Sequence, residues 1–183
     1  MSVQERLYTI EEFLDIARLP ENELKRLELD EGVIVEMPPS SQKNSIIAMT
    51  LGRLLGNFVA EHGLGYISGP DSGYRLSPKT MRQPDVAYIS KERHPTIGGV
   101  EFPMAPDIAI EVISPGEDAM RKVNQYIAAG TRLVLSVYPD EQEIYVWQAA
   151  KEGGLHVRKY GVDDRIDFGD VLQGFTLAVR EVL

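Results

Sequence analysis

The stretch PDIAIEVISPGEDAMRK, Pro106 to Lys122, sets one glutamate inside an apolar run, Ile108-Ala109-Ile110-Glu111-Val112-Ile113. A short continuous apolar run of this kind reads as a strand, and a carboxylate in a strand buried on both faces costs roughly several kcal/mol without a cation, a metal ion or a proton beside it. Two readings of Glu111 follow. In one, the strand is a sheet edge and the side chain faces water. In the other, Glu111 is a metal ligand.

The residues around this strand set the fold class. Ser114-Pro115-Gly116-Glu117 has the pattern of a capping box with proline at the first helical position, which predicts a helix from Pro115 to Ala129, stopped by Gly130. The run Leu133 to Val137 then reads as a buried central strand, and Glu143 to Trp147 as the next, after a turn at Pro139-Asp140. Upstream, strands are expected over Gly65–Ser68, Gly73–Leu76 and Asp85–Ser90. Nearer the start, Thr9-Ile10-Glu11-Glu12 is a capping box opening a short amphipathic helix. Arg26 to Leu29 and Val33 to Met37 flank Asp30-Glu31-Gly32 as a hairpin, and Ile47, Leu51, Leu54, Leu55 and Phe58 line one face of a long helix closed by His62-Gly63. Weaker strands near Leu155–Val157 and Phe175–Val179 complete the chain. The expectation is an α/β (α+β) fold over 1–183 as one domain: a mixed sheet flanked by a few helices, with an N-terminal helix and hairpin. Trp147, Tyr88 and Tyr145 read as strand packing rather than platforms for bases.

Composition narrows the chemistry. The 183 residues are 43% hydrophobic and 26% charged, as in a soluble globular protein large enough to need no covalent staples. No apolar run is long enough to span a bilayer, and Met1 to Arg6 lacks the character of a signal peptide, so a cytoplasmic protein is expected. With no cysteine and with His62, His94 and His156 far apart, a zinc centre built on those ligands is not expected. Oxygen ligands then favour Mg²⁺ or Mn²⁺. A formal charge of −9 argues against a protein that coats nucleic acid, though not against local contact with DNA through a metal ion and a few Lys/Arg side chains; Lys43, Arg75, Lys79, Arg82 and Arg121 read either as a local basic rim for phosphates or, as scattered cations more often do, as solvated surface.

Two strands open with Pro-Asp, at Pro84-Asp85 and Pro106-Asp107. Asp107 and Glu111 share a strand face but lie roughly 13 Å apart at about 3.3 Å per residue, too far to share an ion. Asp85 suits Glu111 if the two strands are antiparallel neighbours, because the start of one then lies beside the end of the other. The helix after Ser114 keeps Lys122 near that end. Taken alone, Lys122 reads as an i,i+4 partner of Asp118, a pair contributing about 0.3–0.5 kcal/mol. Beside two carboxylates holding a cation, an ammonium instead suits phosphoryl transfer, where it steadies developing charge.

These residues, Asp85 after Pro84, Glu111 in Ile110-Glu111-Val112-Ile113-Ser114-Pro115, and Lys122 followed by Tyr126 and Ala129-Gly130, closely resemble the restriction-endonuclease family of the Uma type within the PD-(D/E)XK nuclease superfamily. The resemblance extends along nearly the whole chain, through Arg26 to Gly32, Met37-Pro38-Pro39-Ser40, Gly73 to Ser77 and Leu172-Gln173-Gly174-Phe175. It implies a restriction-endonuclease-like fold and hydrolysis of DNA phosphodiester bonds by metal-activated water. Asp85 and Glu111 would hold Mg²⁺ or Mn²⁺ with the carbonyl of Val112. Lys122 would be the active-site lysine, moved to the helix because the usual strand position holds Ile113. Glu28 would be an additional acid, an exposed hairpin residue being the other reading, and the protein a homodimer. The chain departs from the family in Asn44, where relatives carry histidine, and in a shorter segment from Ser114 to Lys122. A nuclease-fold binding or regulatory module without catalysis is the alternative function.

Overall fold

Thr9 opens the first helix of the computed structural model, which describes residues 6–183; Met1 to Glu5, most of the segment read for a signal peptide, lie outside the described residues. The Thr9 hydroxyl accepts from the Glu12 N–H at 3.3 Å, and Glu12 Oε2 accepts from the Thr9 N–H at 3.0 Å, the reciprocal pair expected of a capping box. This helix, α1 (Ile10–Ala17), buries Ile10 and Phe13 against Leu27 and Leu29 of β1 (Arg26–Asp30) and against Met81. β1 turns into β2 (Val33–Met37) through Glu31 and Gly32, with φ of 51° and 90°. Two successive left-handed residues make the tight hairpin turn whose twist matches paired strands. β4 (Tyr74–Ser77) and β5 (Thr80–Arg82) join them in a four-stranded sheet ordered β2-β1-β5-β4, once α2 (Gln42–Glu61) and β3 (Gly65–Ser68) have intervened in the chain. β5 was not foreseen, since three residues are too short to display a period.

The second sheet carries the apolar run. It has the order β10-β9-β8-β7-β6-β3, with β6 (Val86–Ser90), β7 (Ile108–Val112), β8 (Leu133–Tyr138), β9 (Glu143–Ala149) and β10 (Leu155–Gly161). β7 and β8 are parallel, and the other neighbours are antiparallel. A parallel pair needs a crossover, which α3 (Ala119–Ala128) supplies. β11 (Arg165–Asp167), also too short to read beforehand, and β12 (Thr176–Ala178) form a separate pair.

Each face of β7 meets a different helix. Ile108, Ile110 and Val112 join Val86, Tyr88 and the buried stripe Ile47, Leu51, Leu55 and Val59 of α2 in the main core. Ala109 packs on the other face with Val123 and Tyr126 of α3. Glu111 therefore lies in an interior strand at 3% exposure, and the edge-strand reading fails. Among the described residues no helix is long and apolar enough to cross a membrane.

The helix expected from Pro115 begins instead at Ala119, capped by the Asp118 side chain, which accepts from the Arg121 N–H at 3.0 Å. The reason is Gly116, at φ 83°, a conformation no right-handed helix contains. Ser114-Pro115-Gly116-Glu117 is a β-turn, closed by the Glu117 N–H on the Ser114 carbonyl at 3.1 Å, with proline and left-handed glycine in the positions of a type II turn. Half of the expected box survives, because Glu117 Oε2 accepts from the Ser114 N–H at 3.1 Å.

Candidate active site

β6 and β7 pair antiparallel with Val86 opposite Ile110, and continuing that register by one residue sets Asp85 opposite Glu111. Alternation puts the two on one face: Val86 and Ile110 point into the core under α2, so Asp85 and Glu111 lie on the side that α3 covers. Both line a cavity of about 280 Å³, together with Val112, Glu117, Lys122 and Arg26. Three of the sequence-selected groups, Asp85, Glu111 and Lys122, are thus brought together with Val112.

Each acid is already engaged. Asp85 Oδ2 accepts from the Val112 N–H at 2.8 Å, while Oδ1 stands 3.5 Å from Arg26 Nη2. Burial raises the Asp85 pKa, opposed by the Val112 N–H and the charge of Arg26. Glu111 Oε2 accepts from Lys122 Nζ at 2.9 Å and Oε1 from the Tyr126 hydroxyl at 2.8 Å. Burial pushes Glu111 up to about 7 against the pull of Lys122, with the negative charges of Asp85 and Glu28 adding to the rise. Lys122 is 6% exposed and also pairs with Glu117 Oε1 at 2.5 Å. Burial disfavours its charge, but Glu111, Glu28 and Glu117 outweigh burial and raise its pKa. The surface pair of Lys122 with Asp118 does not form, because Asp118 is the helix cap.

Glu28 does not join the acids of the cavity. It is fully buried, so the exposed-hairpin reading fails, and its two oxygens accept from Arg82 Nη1 and the Gln83 N–H, each at 2.8 Å. β5, unforeseen in the sequence, brings both donors beside β1. The charge of Glu28 still raises the pKa of Glu111 and of Lys122. Arg82, expected on a basic rim, is 4% exposed and bonded to Glu28 and Asp30, while Arg75 and Arg121 are paired with acids of the chain and Lys43 with Asp140. Asp107, opposite in chain direction to Glu111 along β7, accepts from the Ser90 N–H and from Arg93, a structural tie at the far end of the strand.

Two groups were missed as site residues, Tyr126 and Glu117. Tyr126 stood in the family pattern, and its spacing of four from Lys122 places both on one face of a helix. Glu117 was read only as a cap. Asn44, the departure from the family, donates to the Val112 carbonyl at 3.3 Å and to Ser114 Oγ at 3.2 Å, so it touches the main chain beside Glu111. Tyr126→Phe removes the hydroxyl donor of a buried carboxylate and is expected to destabilise the protein by about 1–3 kcal/mol. Urea unfolding without metal measures this; an unchanged midpoint would remove Tyr126 from the acid's support.

Among the described residues no three His, Cys, Asp or Glu side chains form a group that could hold a metal ion. Asp85 and Glu111 nonetheless form a pair of carboxylates lining one cavity beside Val112, whose carbonyl accepts from Asn44 Nδ2 at 3.3 Å. Such a set suits a small hard divalent cation that keeps several waters, as Mg²⁺ does.

A search of curated proteins returned no match. Among solved structures, the chain is similar to a crystal structure described as a "putative nuclease" from Anabaena variabilis, with a TM-score of 0.78 and 22% identity over 95% of this chain and 96% of that one. At that identity the likeness establishes the fold. The family model Uma2, described as "Putative restriction endonuclease", matches residues 10–180, which takes in α1, both larger sheets and every group of the cavity. The ordered acids and lysine thus stand within a match over nearly the full chain, and the protein belongs to the Uma2 family.

Proposed function

We propose that this chain is a divalent-metal-dependent endonuclease that hydrolyses phosphodiester bonds of DNA at the cavity between β6, β7 and α3. The observation that carries the reading is the buried Glu111, set by strand register opposite Asp85, with Lys122 Nζ 2.9 Å from its carboxylate. Asp85, Glu111 and the Val112 carbonyl would hold Mg²⁺ or Mn²⁺. A cation bound there supplies an activated water and neutralises charge on the phosphoryl oxygens.

The chain's own groups do the rest. Lys122 Nζ, on the cavity wall, steadies negative charge that grows on a phosphoryl group. Arg26 presents a second cation to the same space. Tyr126 and the Val112 N–H hold one oxygen of Glu111 and one of Asp85, so the remaining oxygens keep a defined aim. Glu28 acts on the site through its charge alone.

Incubation with supercoiled plasmid and with linear DNA in Mn²⁺ or Mg²⁺ tests the reading. Nicked and linear products that disappear on chelation are expected, and failure to cut either substrate would overturn it. Labelled RNA in parallel separates a deoxyribonuclease from a general phosphodiesterase.

The binding-module reading has one observation in its favour: Lys122 and Arg26 already stand beside Glu111 and Asp85, so each of these two acids has a cation next to it without metal. DNA binding whose salt dependence survives removal of both carboxylates, with no cutting by the wild type, would select it.

A further inference from the structure

Glu117 is tied to the backbone at two points. Its N–H closes the turn on the Ser114 carbonyl at 3.1 Å, and its Oε2 accepts from the Ser114 N–H, also at 3.1 Å. Its other oxygen, Oε1, meets Lys122 Nζ at 2.5 Å, closer than the 2.9 Å between Lys122 and Glu111. The two carboxylates therefore share one ammonium, and all three groups line the cavity with Asp85. Only one of the two acids is held in place by main-chain groups. Glu111 sits on a strand with its second oxygen on Tyr126, whereas the Glu117 carboxylate is fixed beside the turn that leads into α3.

A cation arriving at Glu111 must compete with Lys122 for Oε2. A buried ammonium that loses its only counter-anion is strongly disfavoured, so without a second acid the lysine would resist displacement. Resting on the metal-dependent reading above, we propose that Glu117 is a positioning residue: it retains the Lys122 ammonium when a divalent cation takes Glu111, and so couples metal entry to placement of the lysine. The movement needed is small, because Lys122 already touches both acids. Glu117 is assigned no contact with substrate or metal in this proposal, and its influence passes through Lys122.

The coupling is measurable without turnover. Mn²⁺ binding is followed by the loss of the free-ion paramagnetic resonance signal in wild type, Glu117→Gln, Lys122→Met and the double variant. Glu117→Gln leaves Lys122 with Glu111 as its one acidic partner among the described residues, and the Mn²⁺ dissociation constant is expected to rise about tenfold, within the usual range for coupled sites. In the Lys122→Met background the same substitution is expected to change it less than about threefold, since the lysine through which Glu117 acts is gone. Lys122→Gln serves as a second neutral background, with circular dichroism as the check on folding. Equal weakening with and without the lysine would show that Glu117 acts as a nearby negative charge, and no weakening in either would show that it does not act on the metal; each result overturns the inference while leaving the metal-dependent reading in place. Absence of Mn²⁺ binding by the wild type would overturn both.

Discussion

Lys122→Met lowers the stability of the metal-free protein by about 3–5 kcal/mol near pH 8, the usual cost of removing one partner from a buried ion pair. The size follows from the surroundings. Glu111 is 3% exposed, and among the described residues the only other group bonded to its carboxylate is the neutral hydroxyl of Tyr126. Without the ammonium, Glu111 must either stay ionised in a dry site or take up a proton, and the choice depends on pH. In the wild type the folded-state pKa of Glu111 is raised from 4.5 to about 7. The folded state then binds more protons than the unfolded state between those values, so this group's contribution to stability falls as pH rises through the window. Lys122 opposes the rise, so its removal carries the window upward, and the Glu111 part of the variant's deficit is small near pH 5 and grows towards pH 8, on top of the lost contact with Glu117. Urea unfolding in a chelator across that range measures it. A deficit independent of pH would mean that lost packing or the lost contact with Glu117, and not the ionisation of Glu111, is the cause. Divalent cation should restore much of the loss, because an ion bound only by the folded state stabilises it.

Asp85→Ala is expected to reduce plasmid cleavage in Mn²⁺ at least about a hundredfold, since under the proposed function it removes a metal ligand and with it several kcal/mol of charge stabilisation from the transition state. It also removes the acceptor of the Val112 N–H, a bond of 2.8 Å, and a moderate loss of stability of about 1–3 kcal/mol accompanies it. Asp85→Asn separates the two effects. The amide oxygen can still accept from Val112, so stability recovers, but the charge is gone and cleavage stays low. The thermal shift produced by Mn²⁺ should shrink in both variants. Cleavage equal to wild type in the alanine variant would remove Asp85 from the chemistry.

Much of this molecule is written locally. The capping box at Thr9, the hairpin at Glu31-Gly32 and the buried run of β8 act within a few residues and appear where expected, and the α2 stripe keeps Ile47, Leu51 and Leu55 while Val59 is buried and Leu54 and Phe58 only partly so. The antiparallel placement of Asp85 beside Glu111 was also legible, because a charged residue in an apolar strand demands a partner and the spacing of the Pro-Asp starts offered one. The start of α3 was misread although its determinants are local: Ser-Pro-Gly-Glu satisfies both a cap and a turn, and Gly116 in the left-handed region decides for the turn.

The sequence by itself determined most of the elements and the pairing of Asp85 with Glu111, since propensity, capping and period are properties of neighbouring residues. Only the tertiary structure decided which charges meet. Glu28 went to Arg82 because β5 lies against β1, and Lys122 went to Glu111 and Glu117 because α3 covers that face of β7 and the turn at Gly116 swings Glu117 over it. Ion pairing depends on distance in space, and side chains many positions apart acquire that distance only when sheets and helices pack.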